Sequence, residues 1–136
     1  MTELSDDVRV LFEGPNYAHI ATVLPDGGPH SVPVWIGLED GRIVFFTQEG
    51  SRKARNLAAD PRVAISIADH ANPYRMAQVR GRVVDAVHGE EALEIIDRLS
   101  VRYTGRPFPM RSGVVYRIEP ERAFAMDLPF EHTPPA

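Results

Sequence analysis

The segment Gly50-Ser51-Arg52-Lys53-Ala54-Arg55-Asn56-Leu57 holds the only lysine of a chain with 15 basic residues. Its residue types describe a helix start: a flexible glycine, a serine able to cap, then good helix formers. The first turn of a helix offers backbone N–H groups and the positive end of a dipole to an anion. Arg52, Lys53 and Arg55, within about one turn of each other, add positive charge and make an anion site of phosphate size. On composition alone the same segment is a solvated basic helix face. It directly follows the apolar run Ile43-Val44-Phe45-Phe46-Thr47, and strand, tight turn and basic helix start is an arrangement in which proteins hold a cofactor phosphate. That context favours the anion site.

No other set of residues has the spacing of a catalytic or metal site. The five histidines are dispersed and none stands in an HExxH pattern. His19 reads as a packed or interface histidine, His30 and His132 as solvated. GxSxG, the P-loop and GxGxxG do not occur. Glu90, Glu91 and Glu94 lie at a helix start, where acid stabilises the dipole. No cysteine occurs, which excludes disulfides, thiolate chemistry and cysteine-held metals. No catalytic side chain and no metal ligand is therefore assigned. Trp35, the lone tryptophan, has two readings, core or interface packing and stacking on a cofactor ring.

The elements that position these residues follow from turn signals and periodicity. The 136 residues are expected to form one domain over 1–136, with 129–136 a loose tail. A hydrophobic share of 43% and a charged share of 25% are those of an ordinary globular protein. Net charge is −4 and the sequence pI about 5.7, so neither nucleic acid nor an anionic membrane is an expected partner. The acidic N-terminus is no signal peptide and the apolar runs are strand-length, which makes the cytoplasm the default. Preference for arginine over lysine, with abundant alanine, valine and proline, is what a GC-rich genome tends to encode.

Ser5-Asp6-Asp7 reads as a cap and acidic first turn of a short helix through Val8, Leu11 and Phe12. Strands are expected at 18–24 and 30–38, separated by Pro25-Asp26-Gly27-Gly28, with Pro33 at an edge or bulge. Asp40-Gly41 makes a hairpin into a strand at 42–48. The basic helix spans about 51–59 and ends at Asp60-Pro61. Strands at 62–68 and 76–87 follow, the second with Val79, Gly81 and Val83 on one face and Gln78, Arg80 and Arg82 on the other. The longest helix opens at Gly89-Glu90-Glu91, with Leu93, Ile96, Leu99 and Tyr103 as its apolar stripe. A last strand runs over 114–118 and resumes around 123–126. Six short, largely antiparallel strands in so small a chain close most economically into a barrel, giving an α+β protein.

In this order the residues resemble the split β-barrel flavin and deazaflavin proteins of the pyridoxamine 5′-phosphate oxidase-like superfamily, and within it the small actinobacterial branch of F420-dependent reductases. Three stretches carry the likeness over nearly the whole chain: the hairpin from Ala18 through Asp26-Gly27-Gly28 to Val34-Trp35; Val44-Phe45-Phe46-Thr47 with Gly50 to Ala64; and Val79-Arg80-Gly81-Arg82-Val83. The second is the most specific. The resemblance implies a six-stranded, mostly antiparallel split barrel with short flanking helices, and a homodimer with two interface cofactor sites. It implies that the cofactor phosphate lies against Ser51, Arg52 and Lys53, and that the ring lies along Val34-Trp35 and Thr47-Gln48, with Gln78 facing it. Many relatives carry an aromatic residue near Met76 or Ala77, and a tryptophan where this chain has Phe124 and Met126, so the substrate side differs. Aromatic positions and a basic C-terminal region specific to vitamin B6 oxidation are not apparent.

The resemblance and the arginine-rich helix together point to coenzyme F420, whose phosphodiester and polyglutamate tail suit a broad basic surface. Arg52 and Arg55 supply one, with Arg62 or Arg75 as further candidates. FMN, which needs only the compact phosphate site, is the alternative cofactor. With F420, the expected reaction is hydride transfer from the reduced deazaflavin to an electron-poor small molecule such as a conjugated ketone, quinone or tetrapyrrole. Tyr74, Met76 and Trp35 would shape that acceptor's pocket. Two rival classes are an FMN-dependent oxidoreductase of the same fold and a non-catalytic protein that binds a cofactor or haem.

Overall fold

The computed structural model describes residues 3–135. Met1 and Thr2 of the acidic N-terminus and Ala136 of the expected tail lie outside the described residues. The elements in chain order are α1 (Asp6–Glu13), β1 (Ala18–Val23), β2 (Pro29–Val34), β3 (Ile36–Glu39), β4 (Arg42–Thr47), α2 (Arg52–Ala59), β5 (Arg62–Ala68), β6 (Arg75–Val87), α3 (Gly89–Thr104) and β7 (Val114–Asp127). The strands form one seven-stranded sheet in the order β2-β1-β5-β6-β7-β4-β3, and every pairing is antiparallel.

The expected count of six strands is thus corrected to seven. The run at 30–38 is two strands, because the chain leaves the ladder at Trp35: β2 pairs with β1, while β3 pairs with β4. These two halves are the opposite edges of the sheet, joined by a single residue. Two residue steps span at most about 7 Å of extended chain, so the sheet must curl until its edges nearly meet. That is a barrel split along one seam. Pro33 sits on the edge strand β2 opposite His19, where its missing donor disrupts no second ladder.

Local chemistry accounts for the connections. Asp40 (φ 52°) and Gly41 (φ 79°) both take the left-handed conformation of a two-residue hairpin between Glu39 and Arg42. The last strand, expected in two pieces, is continuous. Its Pro120 lies opposite Gly81, next to a register shift between Arg80 and Gly81, so the missing N–H falls where the ladder is already irregular. A Cβ on Gly81 would come within 2.3 Å of the Glu119 carbonyl oxygen, so only glycine fits this crossing.

The barrel interior takes Ile20, Ile43, Phe45, Ile65, Val79 and Ile118, together with Val8, Leu11 and Phe12 of α1 and Leu57 of α2. A second apolar layer lies between α3 and the sheet. There Ala92, Ile95, Ile96 and Leu99 meet Val44, Val87 and Val115. Ile95 joins Ile96 and Leu99 on the buried face of α3, so that face is wider than the expected stripe. The chain after Leu128 has no regular structure as far as 135, yet the rings of Phe130 and His132 stand 5.3 and 6.3 Å from that of Tyr74.

Candidate functional site

The basic segment forms the helix its residues call for. Ser51 is the N-cap of α2, and its hydroxyl oxygen accepts from the Ala54 N–H at 3.2 Å. The same hydroxyl lies 3.0 Å from Thr47 Oγ1 at the end of β4, which ties helix start to strand end. The Arg55 N–H donates to the Ser51 carbonyl at 3.0 Å. The first-turn amides of Arg52 and Lys53 have no partner within the helix. Under this turn runs a buried polar chain: Arg52 Nε donates to Asn56 Oδ1 at 2.9 Å, and Asn56 Nδ2 donates to Thr22 Oγ1 at 3.0 Å. Asn56 and Thr22 are 1% and 2% exposed, so these bonds fix α2 against β1. His30, read as solvated, is half-buried opposite Thr22, and its Nδ1 is enclosed without a partner.

Beside this helix start opens a cavity of about 450 Å³. Val34, Trp35, Thr47, Gln48 and Lys53 line it, joined by Tyr17, Pro33, Phe46, Phe108 and Met110. The walls are aromatic. Trp35 stacks on Tyr103 with ring centres 5.3 Å apart and planes 8° apart, and meets the edges of Phe46 and Phe108 at 6.1 and 6.0 Å. Lys53 is the one charged residue of the lining. It is half-buried, and that burial pushes its ammonium pKa below the ordinary lysine value. A cation held partly out of water beside flat apolar walls and a helix start is arranged for an anion carried on a planar group.

Tyr103 holds the seam on which the cavity lies. Its hydroxyl accepts from the Ile36 N–H at 3.1 Å and donates to the Asn16 carbonyl at 2.5 Å. Burial raises the pKa of this phenol, which keeps it a donor. Asn16 in turn accepts from the His70 N–H at 2.8 Å and donates to the Leu11 carbonyl at 2.9 Å.

The structure brings five of the nine expected residues to one cavity and leaves four outside its lining. Ser51 is one hydroxyl removed, through Thr47. Arg52 is turned toward Asn56. Arg55 is exposed and borders a separate cavity of about 260 Å³ with Leu24, Asp60 and Arg62. Gln78 is exposed on the outer face of β6, in a groove of about 270 Å³ with Tyr17, His19, Ser66 and Met76. Met76 lines this groove and not the Trp35 cavity, and Tyr74 packs against Phe130. Arg62 is engaged by Asp60 at 2.7 Å, and Arg75 lies 3.8 Å from both Asp69 and Asp127. Sequence reasoning did not single out Tyr17, Phe46, Phe108 or Met110 as site residues and read Tyr103 as helix stripe alone. Phe108 and Met110 lie in a loop rich in glycine, proline and arginine, which carries no periodic signal.

This arrangement has relatives. Residues 4–127 match the family model for pyridoxamine 5′-phosphate oxidase. The chain belongs to that family. It is an oxidoreductase family whose split-barrel fold binds flavin-type cofactors. A solved structure of an F420 reductase superposes with a TM-score of 0.78 at 32% identity, covering 89% of this chain and 98% of that one. A conserved hypothetical protein of Mycobacterium tuberculosis superposes with a TM-score of 0.76 at 26% identity, covering 99% of both. A pyridoxine/pyridoxamine 5′-phosphate oxidase of Bacteroides thetaiotaomicron is 31% identical over 87% of this chain and 51% of its own length. The chain spans about half the length of the curated relatives it matches. Among the described residues no helix is long and apolar enough to cross a membrane, and no cluster of metal-ligating side chains occurs.

Proposed function

We propose that this family member binds coenzyme F420 in the Trp35 cavity and passes hydride from the reduced deazaflavin to an electron-poor small molecule. The observation that carries this reading is the pairing of one half-buried cation, Lys53, with a flat aromatic cavity of about 450 Å³, a volume within the usual range for ligand pockets. The residues present suit the group: Ser51, Lys53 and the free first-turn amides of α2 would hold the phosphate, with Arg52 steadied by Asn56. Val34, Trp35, Thr47 and Gln48 would lie along the ring. When bound, the cofactor supplies the hydride chemistry; the chain's own residues orient the ring and exclude water. Arg55 and Gln78 are assigned the outer surface, Arg55 toward the cofactor's anionic tail and Gln78 toward a ring held by a second protomer.

Near end-to-end likeness to the F420 reductase structure supports F420. The flavin-type cofactors bound by this family's fold support FMN as the second reading, a cofactor that would use the same helix start. A homodimer is part of the proposal. Phe124 and Met126 are 51% and 40% exposed on the β6–β7 face that carries Gln78, an apolar surface suited to a second copy. Separate titrations with F420 and FMN, followed through Trp35 fluorescence, test the reading. Tight F420 and weak FMN binding supports it, the reverse selects FMN, and binding of neither removes it. Tight F420 binding without turnover on a panel of quinones and conjugated ketones would leave a binding protein, and light scattering reports the dimer.

A further inference from the structure

The segment 105–113, between α3 and β7, supplies Phe108 and Met110 to the cavity wall, although most of its residues are exposed. It turns on glycines at both ends, Gly105 with φ 80° and Gly113 with φ 154°. One ion pair grips its centre. Asp97 Oδ1, from α3, accepts from the Phe108 N–H at 3.1 Å and from Arg111 Nη1 at 2.9 Å, and Asp97 Oδ2 accepts from Arg111 Nη2 at 3.1 Å. Arg111 Nη1 also donates to the Phe108 carbonyl at 2.9 Å. The peptide groups on both sides of Phe108 are thus fixed by the same two side chains. A second clasp closes the end of the loop: Gln48 Nε2 donates to the Ser112 carbonyl at 2.9 Å, and Ser112 Oγ donates to Gln48 Oε1 at 2.7 Å. The ring so held stands 6.0 Å from Trp35 at 81° and 5.1 Å from Phe46 at 74°.

We propose that Asp97 and Arg111, neither of which lines the cavity, are positioning residues: their pair holds Phe108 edge-on to Trp35 and so fixes the aromatic wall against which a planar ring is bound. A flat ring gains most from walls already in place, since each side chain ordered on binding costs affinity. A two-pronged arginine–carboxylate contact supplies direction as well as attraction. The identity of the ring rests on the function proposed above; the positioning of Phe108 does not.

The test compares Asp97→Asn, Arg111→Ala and Arg111→Lys with Arg106→Ala, an exposed arginine of the same loop. Acrylamide quenching and near-ultraviolet dichroism read Trp35, the chain's lone tryptophan, without any ligand. Asp97→Asn and Arg111→Ala are expected to raise quenching of Trp35 and to weaken FMN or F420 binding by about three- to tenfold, less than the loss of a charge-assisted hydrogen bond to the ligand itself, because the pair acts on the cavity only through Phe108. Arg111→Lys keeps the charge but loses the fork, and should fall between; Arg106→Ala should match the unaltered protein. Trp35 quenching unchanged in Asp97→Asn and Arg111→Ala overturns the proposal, as does an equal change in Arg106→Ala. Should Arg111→Ala fail to fold, Arg111→Lys carries the same comparison. If the unaltered protein binds neither cofactor, the function proposed above falls, and Trp35 quenching still decides the role of the pair.

Discussion

Replacing Lys53 by methionine removes the one charge lining the cavity and keeps most of the side chain's length and apolar stem. The size of the effect follows from what remains. The first-turn amides of Arg52 and Lys53 would still meet an anion, so the loss is one charge-assisted hydrogen bond. Such a bond contributes about 1.5–3 kcal/mol, which is about ten- to a hundredfold in affinity. Stability should move the other way. Burial lowers the Lys53 pKa in the folded state, so between the folded and unfolded values the unfolded chain binds more protons, and stability rises with pH across that window. The charged ammonium carries a desolvation cost in the folded protein, which Lys53→Met abolishes. The assay is a pair of titrations, with F420 and with FMN, at low and moderate salt, alongside a thermal melt. Binding should weaken by at least about tenfold with the melting temperature unchanged or raised, whereas Arg55→Ala, exposed and outside the cavity, should cost about twofold or less at moderate salt. Lys53→Met binding within twofold of the unaltered protein, or Arg55→Ala costing more than Lys53→Met, refutes the assignment of the anion to this cavity.

Three further perturbations probe the scaffold. Asn56→Ala cuts the buried chain from Arg52 to Thr22 and should lower stability by about 2–3 kcal/mol, read as a reduced urea midpoint at unchanged slope; an unchanged midpoint would mean that water replaces the amide. Gly81→Ala places a Cβ 2.3 Å from the Glu119 carbonyl oxygen, and the forced backbone shift should cost about 1–3 kcal/mol or more, measured in the same way. Tyr103→Phe keeps the stack on Trp35 but loses the bonds to Ile36 and Asn16, at about 1–3 kcal/mol. Burial raises the folded-state pKa of this phenol above 10.0, so its contribution is complete below the unfolded value and lost as pH rises through the folded one. The stability loss of the unaltered protein at alkaline pH should therefore be smaller in Tyr103→Phe, and equal loss in both would assign it elsewhere, Tyr116 being the other phenol whose pKa burial raises.

Local rules read correctly wherever the deciding interactions are local. Ser51 capping α2, Asp40-Gly41 turning β3 into β4, and the alternation of Val79, Gly81 and Val83 each depend on a few neighbouring residues, and each appears in the structure. The break at Trp35 is not of this kind. An unbroken apolar run looks like one strand, and the partners that split it, β1 on one side and β4 on the other, are set by closure of the whole sheet. The cavity was legible to the same extent. Val34, Trp35, Thr47, Gln48 and Lys53 belong to segments whose order suggested a site, and they line one cavity. Phe108 and Met110 reach it from an aperiodic loop, and Tyr103 backs Trp35 from an amphipathic helix, all more than fifty residues away in sequence from Trp35. Arg55 shows the reverse limit: charge and proximity along a helix do not say which way a side chain faces.

The seam explains why a cavity forms at that place. β2 and β3 are joined by one residue, too short a link for the two to pair with each other; each keeps a single strand partner at its edge of the sheet, and a gap is left where the edges meet. Backbone groups at such a junction need other partners, because a buried unpaired donor costs about as much as a lost hydrogen bond. Tyr103 answers for the Ile36 N–H, and the same ring gives Trp35 a face to stack on. The side chain of the bridging residue cannot enter the barrel core, which Ile36 and Val34 occupy on either side of it, so it turns to the wall of the gap. The feature that splits the barrel thus also supplies the flat surface of the cavity. Tyr103→Phe separates the two roles, since it releases the junction and keeps the stack. Loss of stability with cofactor affinity retained would show that the hydroxyl serves the seam alone, and parallel loss of both would show that the seam's geometry sets the cavity.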